Sequence, residues 1–236
     1  HVLDLKDYIS GLKREVENLR KTLEARKAEE LFKKAEEAVN KAKETRLPKD
    51  ITAAKKAVAL IKDEDKKKDL IEELEELEYS IAEETVKKAE ESARYNSKST
   101  SKDITAAEKA VEAISNKERY NTEIKNLNAR IKSMKSYQEA IKVLENAKKN
   151  RNEQNRDAAQ TALEDFERVV GSVADDDKSV YNEMIEYIKA EIKAIEDYLT
   201  GEKDKEDAAN TAVKTAEGKM GVESNPTNDD IKNAQE

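Results

Sequence analysis

The segment Lys-Asp-Ile-Thr-Ala-Ala-Lys-Lys-Ala-Val at residues 49–58 returns at residues 102–111 as Lys-Asp-Ile-Thr-Ala-Ala-Glu-Lys-Ala-Val, 53 positions later (103 − 50). One change in ten positions is too close for chance, so the chain is built from repeated structural units. Neighbouring units are expected to be coupled, and an incomplete unit cannot bury its apolar face alone.

The stretches between the two copies say what the units are made of. Leu, Ile, Val and Phe supply roughly a fifth of the residues, near the compositional edge of disorder. The apolar positions are nevertheless periodic, and alanine adds small core positions. With 42% charged residues, and no glycine between Gly11 and Gly171, the 236-residue chain reads as long amphipathic helices. Lysine and glutamate alternate along the outer faces, as at Lys33, Lys34, Glu36 and Glu37, which suits a solvated helix with i,i+4 pairs.

Residues 1–27 form an opening helix. Val2, Leu5, Ile9, Leu12, Val16, Leu19 and Leu23 are spaced 3-4-3-4-3-4, a strict heptad with β-branched Val2, Ile9 and Val16 at a and Leu5, Leu12 and Leu19 at d. That pattern favours a parallel two-stranded coil. Glu15 at g and Arg20 at the next e can pair across such a homodimer. The same run also suits the last helix of a preceding unit, and Gly11 weakens a continuous coil by about 1 kcal/mol relative to alanine. Both readings stand at this level.

Repeat 1 spans 28–81. Its first helix presents Leu31, Phe32, Ala35, Val39 and Ala42 and ends before Leu47-Pro48. Pro48 at the first helical position, where its missing N–H is harmless, opens a second helix with Asp50 at N3. That helix turns Ile51, Ala54, Val58 and Ile61 inward and stops in the polar stretch 62–65; a third carries Leu70, Ile71, Leu74, Leu77 and Ile81. Since no glycine or proline lies between Lys66 and Tyr95, the third helix should run directly into repeat 2, at 82–134.

In repeat 2, Val86, Ala89 and Ala93 are expected where repeat 1 has Phe32, Ala35 and Val39. Thr100 is the expected N-cap, with Asp103 at N3. Ile104, Ala107, Val111 and Ile114 then line the second helix, and Ile124, Leu127, Ile131 and Met134 the third. Repeat 3, at 135–199, is divergent. Ile141, Leu144 and Lys148 track its first helix, Ala159, Leu163 and Phe166 its second, and Ile185, Ile188, Ile192 and Ile195 its third. From 200 to 236 a fourth repeat begins. The run from Val213 to Glu217 echoes the run from Val86 to Glu90, and Asp230, Ile231 and Ala234 echo Asp103, Ile104 and Ala107, with Thr227 after Pro226 in the role of Thr100. The array is therefore expected to continue beyond the second helix of this unit.

Three helices reverse direction an odd number of times, so each unit exits opposite its entry. The expected fold is all-α: tandem three-helix bundles joined by continuous helices into an elongated rod, each helix roughly 15–20 residues long. At 1.5 Å per residue three such units extend on the order of 100 Å.

This arrangement of Ala-Val/Glu-x-Ala-Glu, a polar loop, Asp-Ile-x-x-Ala-x-x-Ala-Val, a break and a Leu/Ile-rich helix resembles the spectrin-like three-helix repeats of large Gram-positive surface proteins, of the S-layer and wall-associated stalk type. The resemblance covers about residues 28–199. It implies an extracellular, cell-wall or cell-surface protein whose repeats act as structural spacers or as ligand-binding stalks of adhesins, with a cell-wall polymer or a host protein as partner. A cytoplasmic coiled-coil scaffold, dimerising through residues 2–23, is the alternative.

The chemistry-bearing residues are sparse. No cysteine, one histidine at position 1 and no Gly-rich phosphate loop leave no catalytic, cofactor-binding or metal-ligating candidate, and no enzyme is expected. The run Asp175-Asp176-Asp177 invites a calcium reading, but alternating ligands, a central glycine and a closing glutamate are missing, and a solvated loop fits better. Tyr137, Tyr181, Tyr187 and Tyr198 could make an interaction patch; packing at the core edge is the favoured role. A net charge of −8 with no basic stripe argues against nucleic acid, and no apolar run approaches the ~20 residues of a membrane span.

Overall fold

In the computed structural model the backbone is described for residues 2–95 and 99–223, and side chains for 5–95 and 99–215. The described chain is all-α. It comprises α1 (Val2–Thr45), α2 (Pro48–Ala59), α3 (Glu64–Arg94), α4 (Thr100–Glu112), α5 (Asn121–Lys149), α6 (Glu153–Val170), a 3-10 turn at Asp175–Asp177, and α7 (Ser179–Glu223). It divides into two compact units, His1–Ile131 and Lys132–Glu236, with the change falling inside the span of α5.

The first unit is organised by α3. Its N-terminal half shares a core with α1 and α2, made of Ala35, Val39 and Ala42, Ala54, Val58 and Ile61, and Leu70, Leu74 and Leu77. Phe32, Ile51 and Ile81 pack on its edge. The expected inward faces hold except at Leu31, which is only half-buried, and at Ile71, which is 38% exposed. The alanines carry no side-chain entropy cost and let α1 and α2 approach closely; the leucines of α3 then fill the space opposite. Further along α3 the buried positions are Ala82, Val86, Ala89 and Ala93, packed on Ile104, Ala107 and Val111 of α4. One uninterrupted helix thus serves two successive sets of partners.

The middle helices are shorter than expected, at 12 residues for α2 and 13 for α4. α2 ends at Ala59, before the polar stretch, because the N–H groups of Leu60 and Ile61 turn back to Ala57 and Val58 and bring Ile61 into the core. Asp63 then caps α3 by accepting from the Lys66 N–H at 3.3 Å.

The second unit takes the later part of α5 with α6 and α7. Its buried residues include Tyr137, Ala140, Ile141, Leu144 and Ala147 of α5, and Ala159, Leu163, Phe166 and Val170 of α6. From α7 come Tyr181, Met184, Ile185, Ile188, Ile192 and Ile195. The Tyr137 and Phe166 rings meet at 5.4 Å with a 47° tilt. Lys148 is a partly exposed partner of Glu191 at 2.7 Å, and Ala147 takes the inward position beside it. α7 runs straight through Thr200 and Gly201 and is exposed from Glu202 to Thr215, Val213 included. The echoes expected at Pro226, Thr227, Asp230, Ile231 and Ala234 lie outside the described residues, as does His1.

The face assignment of α3 has a direct check. Leu74→Ala should lower the unfolding free energy by about 2–5 kcal/mol, as buried leucine truncations do. Ile71→Ala, one residue from the core stripe, should cost less than half as much. Urea unfolding followed by circular dichroism reads both; equal losses would mean that the stripe is misplaced.

Candidate functional site

The repeated decapeptide supplies the buried polar groups around which each helical hairpin closes. In the first hairpin Asp50, at N3 of α2, accepts from the Thr45 hydroxyl at 2.8 Å and pairs with Lys41 at 3.3 Å. In the second, Asp103 accepts from the hydroxyls of Ser92 at 2.6 Å and Ser99 at 2.7 Å, with Lys88 at 3.8 Å. Both carboxylates are buried in the hairpin. The hydroxyl donors, Thr45 in one case and Ser92 followed by Ser99 in the other, are the main reason why each carboxyl is held below its ordinary range; the nearby lysines add to this.

These partners correct the expected register. Thr45 matches Ser92 and Lys41 matches Lys88, both 47 residues apart (92 − 45 and 88 − 41), whereas the two aspartates are 53 apart. Ala35, Val39 and Ala42 therefore correspond to Ala82, Val86 and Ala89, two helical turns away from the expected pairing of Phe32, Ala35 and Val39 with Val86, Ala89 and Ala93. The sequence carries the signal: Ala-Glu-Glu-Ala-Val-Asn-Lys-Ala-Lys-Glu-Thr at 35–45 returns as Ala-Glu-Glu-Thr-Val-Lys-Lys-Ala-Glu-Glu-Ser at 82–92. The two hairpin connections differ by six residues, which hides this match from any single fixed spacing.

The cap also differs. Thr100 opens α4 as its first residue and is buried, donating to the Ser92 carbonyl at 2.8 Å; Ser99 holds the cap position. Asp103 is consequently at N4. In the first hairpin the turn is tighter, and Arg46 adopts the left-handed conformation with φ 53°. Its guanidinium reaches Ser80 at 2.9 Å and Glu84 at 3.2 Å on α3, which holds a non-glycine residue in a conformation that costs on the order of 1 kcal/mol. The third hairpin keeps the plan with neutral groups. Asn155, 105 residues after Asp50, donates from Nδ2 to the carbonyl of Asn150, 105 after Thr45, at 2.7 Å.

A second polar node sits on the middle of α3. Buried Glu78 accepts from the Ser115 N–H at 3.0 Å and its hydroxyl at 2.6 Å, and pairs with Lys55 of α2. One turn earlier, Glu75 accepts from Asn116 Nδ2 at 3.1 Å and from Arg119 at 3.3 Å. The connection after α4 is thereby fastened to the helix that carries the first core. Tyr79 stacks on Tyr120 at 5.0 Å beside it. Further along α3, Glu90 receives a two-pronged bond from Arg130 of α5, Nε to Oε1 at 2.7 Å and NH2 to Oε2 at 2.6 Å, with the arginine 3% exposed. Sequence reading missed these pairs because a glutamate on a charged helix looks the same whether it faces water or a partner.

Among the described residues no group of His, Cys, Asp or Glu side chains is placed to hold a metal ion. Asp175 pairs with Lys178 at 2.7 Å in an exposed turn. The four tyrosines do not share a surface: Tyr137 and Tyr181 are core residues, and burial pushes the Tyr137 hydroxyl up to about 12, while Tyr187 and Tyr198 are exposed. Arg151 lies over the Tyr198 ring at 4.6 Å. A shallow groove of about 690 Å³ runs between α2, α3 and the connection after α4, with Ile71 and Leu74 on its floor and Lys55, Lys67 and Lys117 along it. No described helix is long and apolar enough to cross a membrane.

No family model matches the chain, and no curated protein or solved structure matches it either.

Two predictions follow from the polar groups. Because the Asp103 carboxyl is held below its unfolded value of roughly 3.9, its contribution is present above that pH and is lost as pH falls through the folded value. Asp103→Asn should therefore be less stable than the parent at neutral pH, with the gap closing as the solution is acidified below the unfolded value; a gap independent of pH would remove the carboxylate from the account. Arg130→Met should cost on the order of 3 kcal/mol by removing the two-pronged bond to Glu90, and adding Glu90→Leu should recover part of the loss. Thermal denaturation of the two single variants and the double variant measures the coupling.

Proposed function

We propose that the chain is a non-enzymatic spacer: tandem three-helix bundles joined through continuous helices into an elongated rod, forming a stalk segment of a large bacterial cell-surface protein. The observation that carries this reading is the use of one helix in two cores. α3 gives Leu70, Leu74 and Leu77 to the core with α1 and α2, then Ala82, Val86 and Ala89 to its packing with α4. A 31-residue helix is about 46 Å long, so a unit entered at one end of it is left at the other. The buried carboxylates support a mechanical role as well. They tie the hairpin turns and the connection after α4 together with short charged hydrogen bonds. The surface location follows from the resemblance of the repeats.

Small-angle scattering tests the rod. A compact chain of this length has a radius of gyration near 18 Å, and the spacer should give a clearly larger value with a longest dimension on the order of 100 Å. A value near 18 Å overturns it. Protease shaving of intact source cells tests the location: release of the segment supports the surface, and full protection overturns it.

The lysine-lined groove favours one second reading, an adhesin-like module that binds a cell-wall polymer or a host protein. Pull-down with wall polysaccharide and with serum proteins tests it. Capture that is lost in Ile71→Glu supports the binder, and no capture removes it.

A further inference from the structure

α1 stands apart from the other long helices. Residues 5–30 are exposed all the way round the helix, and Leu5, Ile9, Leu12, Val16, Leu19 and Leu23 remain 43–66% exposed along one stripe. A helix with such a stripe is not finished by the rest of the described chain.

The register established by the hairpins says what does not cover it. α3 serves an earlier core before it enters the next hairpin, and α5 carries buried apolar residues ahead of its own hairpin. In α3 the earlier core takes Leu70, Leu74 and Leu77; 47 residues before these stand Leu23, Lys27 and Glu30. In α5 the residues Leu127, Ile131 and Met134 are buried; 105 residues before them stand Thr22, Arg26 and Glu29. The 105 shift is the one that superposes Ala140, Leu144 and Ala147 on Ala35, Val39 and Ala42. Apart from Leu23, and Leu19 opposite half-buried Ile124, the positions of α1 that match these buried residues of α3 and α5 are polar or charged. α1 therefore lacks the face that a preceding unit of the same design would use, and its apolar stripe follows a seven-residue period instead.

We propose that this stripe is the seam of a parallel, in-register coiled-coil dimer with a second copy of the chain. Ile9 and Val16 occupy a, and Leu5, Leu12 and Leu19 occupy d, the combination that selects two parallel strands. The flanking charges select the orientation independently. Lys6, Lys13 and Arg20 all fall at e. In an antiparallel pair e faces e, which would line three cations against three. In a parallel pair g faces the next e of the partner, so Glu15 meets Arg20 twice and Tyr8 lies beside Lys13. Arg20 is exposed, and its bond to Glu24 within the same helix, at 3.4 Å, leaves the guanidinium within reach of a partner. Gly11, the weak point of the helix, falls at c on the outer face; a Cβ there would meet nothing within 4 Å, so the seam itself contains no gap. The proposal does not rest on the spacer reading: a dimeric foot and a monomeric stalk are separable findings.

The test uses the full chain. Sedimentation equilibrium should show the mass doubling as the concentration is raised from about 1 μM to about 100 μM, the range expected for a short coil. Leu12→Glu should leave the mass at that of a monomer throughout. Because Leu12 is exposed in the single chain, this variant should keep the parental unfolding transition of the two helical units, which excludes misfolding as the cause. The chain has no cysteine, so Leu5→Cys introduces a unique thiol near one end of the seam. Oxidation should give a disulfide-linked dimer, since a parallel pair sets the two thiols level and an antiparallel pair sets each opposite the far end. A monomer mass at every concentration overturns the proposal and favours a partner other than a second copy. A dimer that survives Leu12→Glu overturns the seam, and a dimer without the Leu5→Cys cross-link overturns the orientation.

Discussion

Each helical hairpin closes on a short polar side chain at the start of its second helix that reaches back to the last turn of the first. For Asp50 and Asp103 the bond is charge-assisted, 2.6–2.8 Å long and partly buried. The bond does two things at once. It meets backbone-proximal polarity at the helix start, and it fixes how far one helix slides along the other. Because alanine lines the contact, a slip of one turn would lose little shape complementarity by itself. Ala35, Ala42 and Ala54 in one hairpin, and Ala82, Ala89 and Ala107 in the next, are all fully buried and nearly interchangeable. The carboxylate makes one register better than its neighbours, a role for which buried polar groups are well suited.

The same division of labour extends to α3. Its leucines and alanines give burial without direction, while Glu75, Glu78 and Glu90 give direction. Glu75 and Glu78 hold the connection after α4, and Glu90 holds α5, so three acidic residues on one helix decide what lies against which turn. The cost is exposure to mutation: a carboxylate that loses its partners in such a site is worse than an apolar residue. The third hairpin, with Asn155 in place of the aspartate, avoids that cost and makes its join with neutral amides and exposed ion pairs such as Arg156–Glu196.

Much of the fold was legible in the residues. The uninterrupted run from Leu12 to Arg46 gave α1, Pro48 gave the start of α2, and the absence of glycine and proline between Lys66 and Tyr95 gave a single α3. The inward faces followed from spacing alone, since burial of a helix stripe needs only the period. What spacing could not supply was pairing. Thr45, Ser92 and Ser99 are ordinary polar residues near helix ends, and only their approach to Asp50 and Asp103 distinguishes them. Arg46 is harder still, because a glycine is the usual mark of a left-handed helix end and an arginine there is held by contacts on a third helix.

By itself the sequence determined that the chain is helical, where most helices begin and end, which stripe of each turns inward, and that the design repeats. These are local properties, set by backbone propensity and by the period of apolar residues, and they need no knowledge of partners. The tertiary structure decided the register between helices, the longer second connection, the glutamates that fasten α3 to its neighbours, and the fact that the heptad of α1 is left uncovered. Those depend on which side chains meet across space, and in alanine-rich helices with similar charged surfaces many meetings are locally equivalent until a few directional hydrogen bonds choose among them.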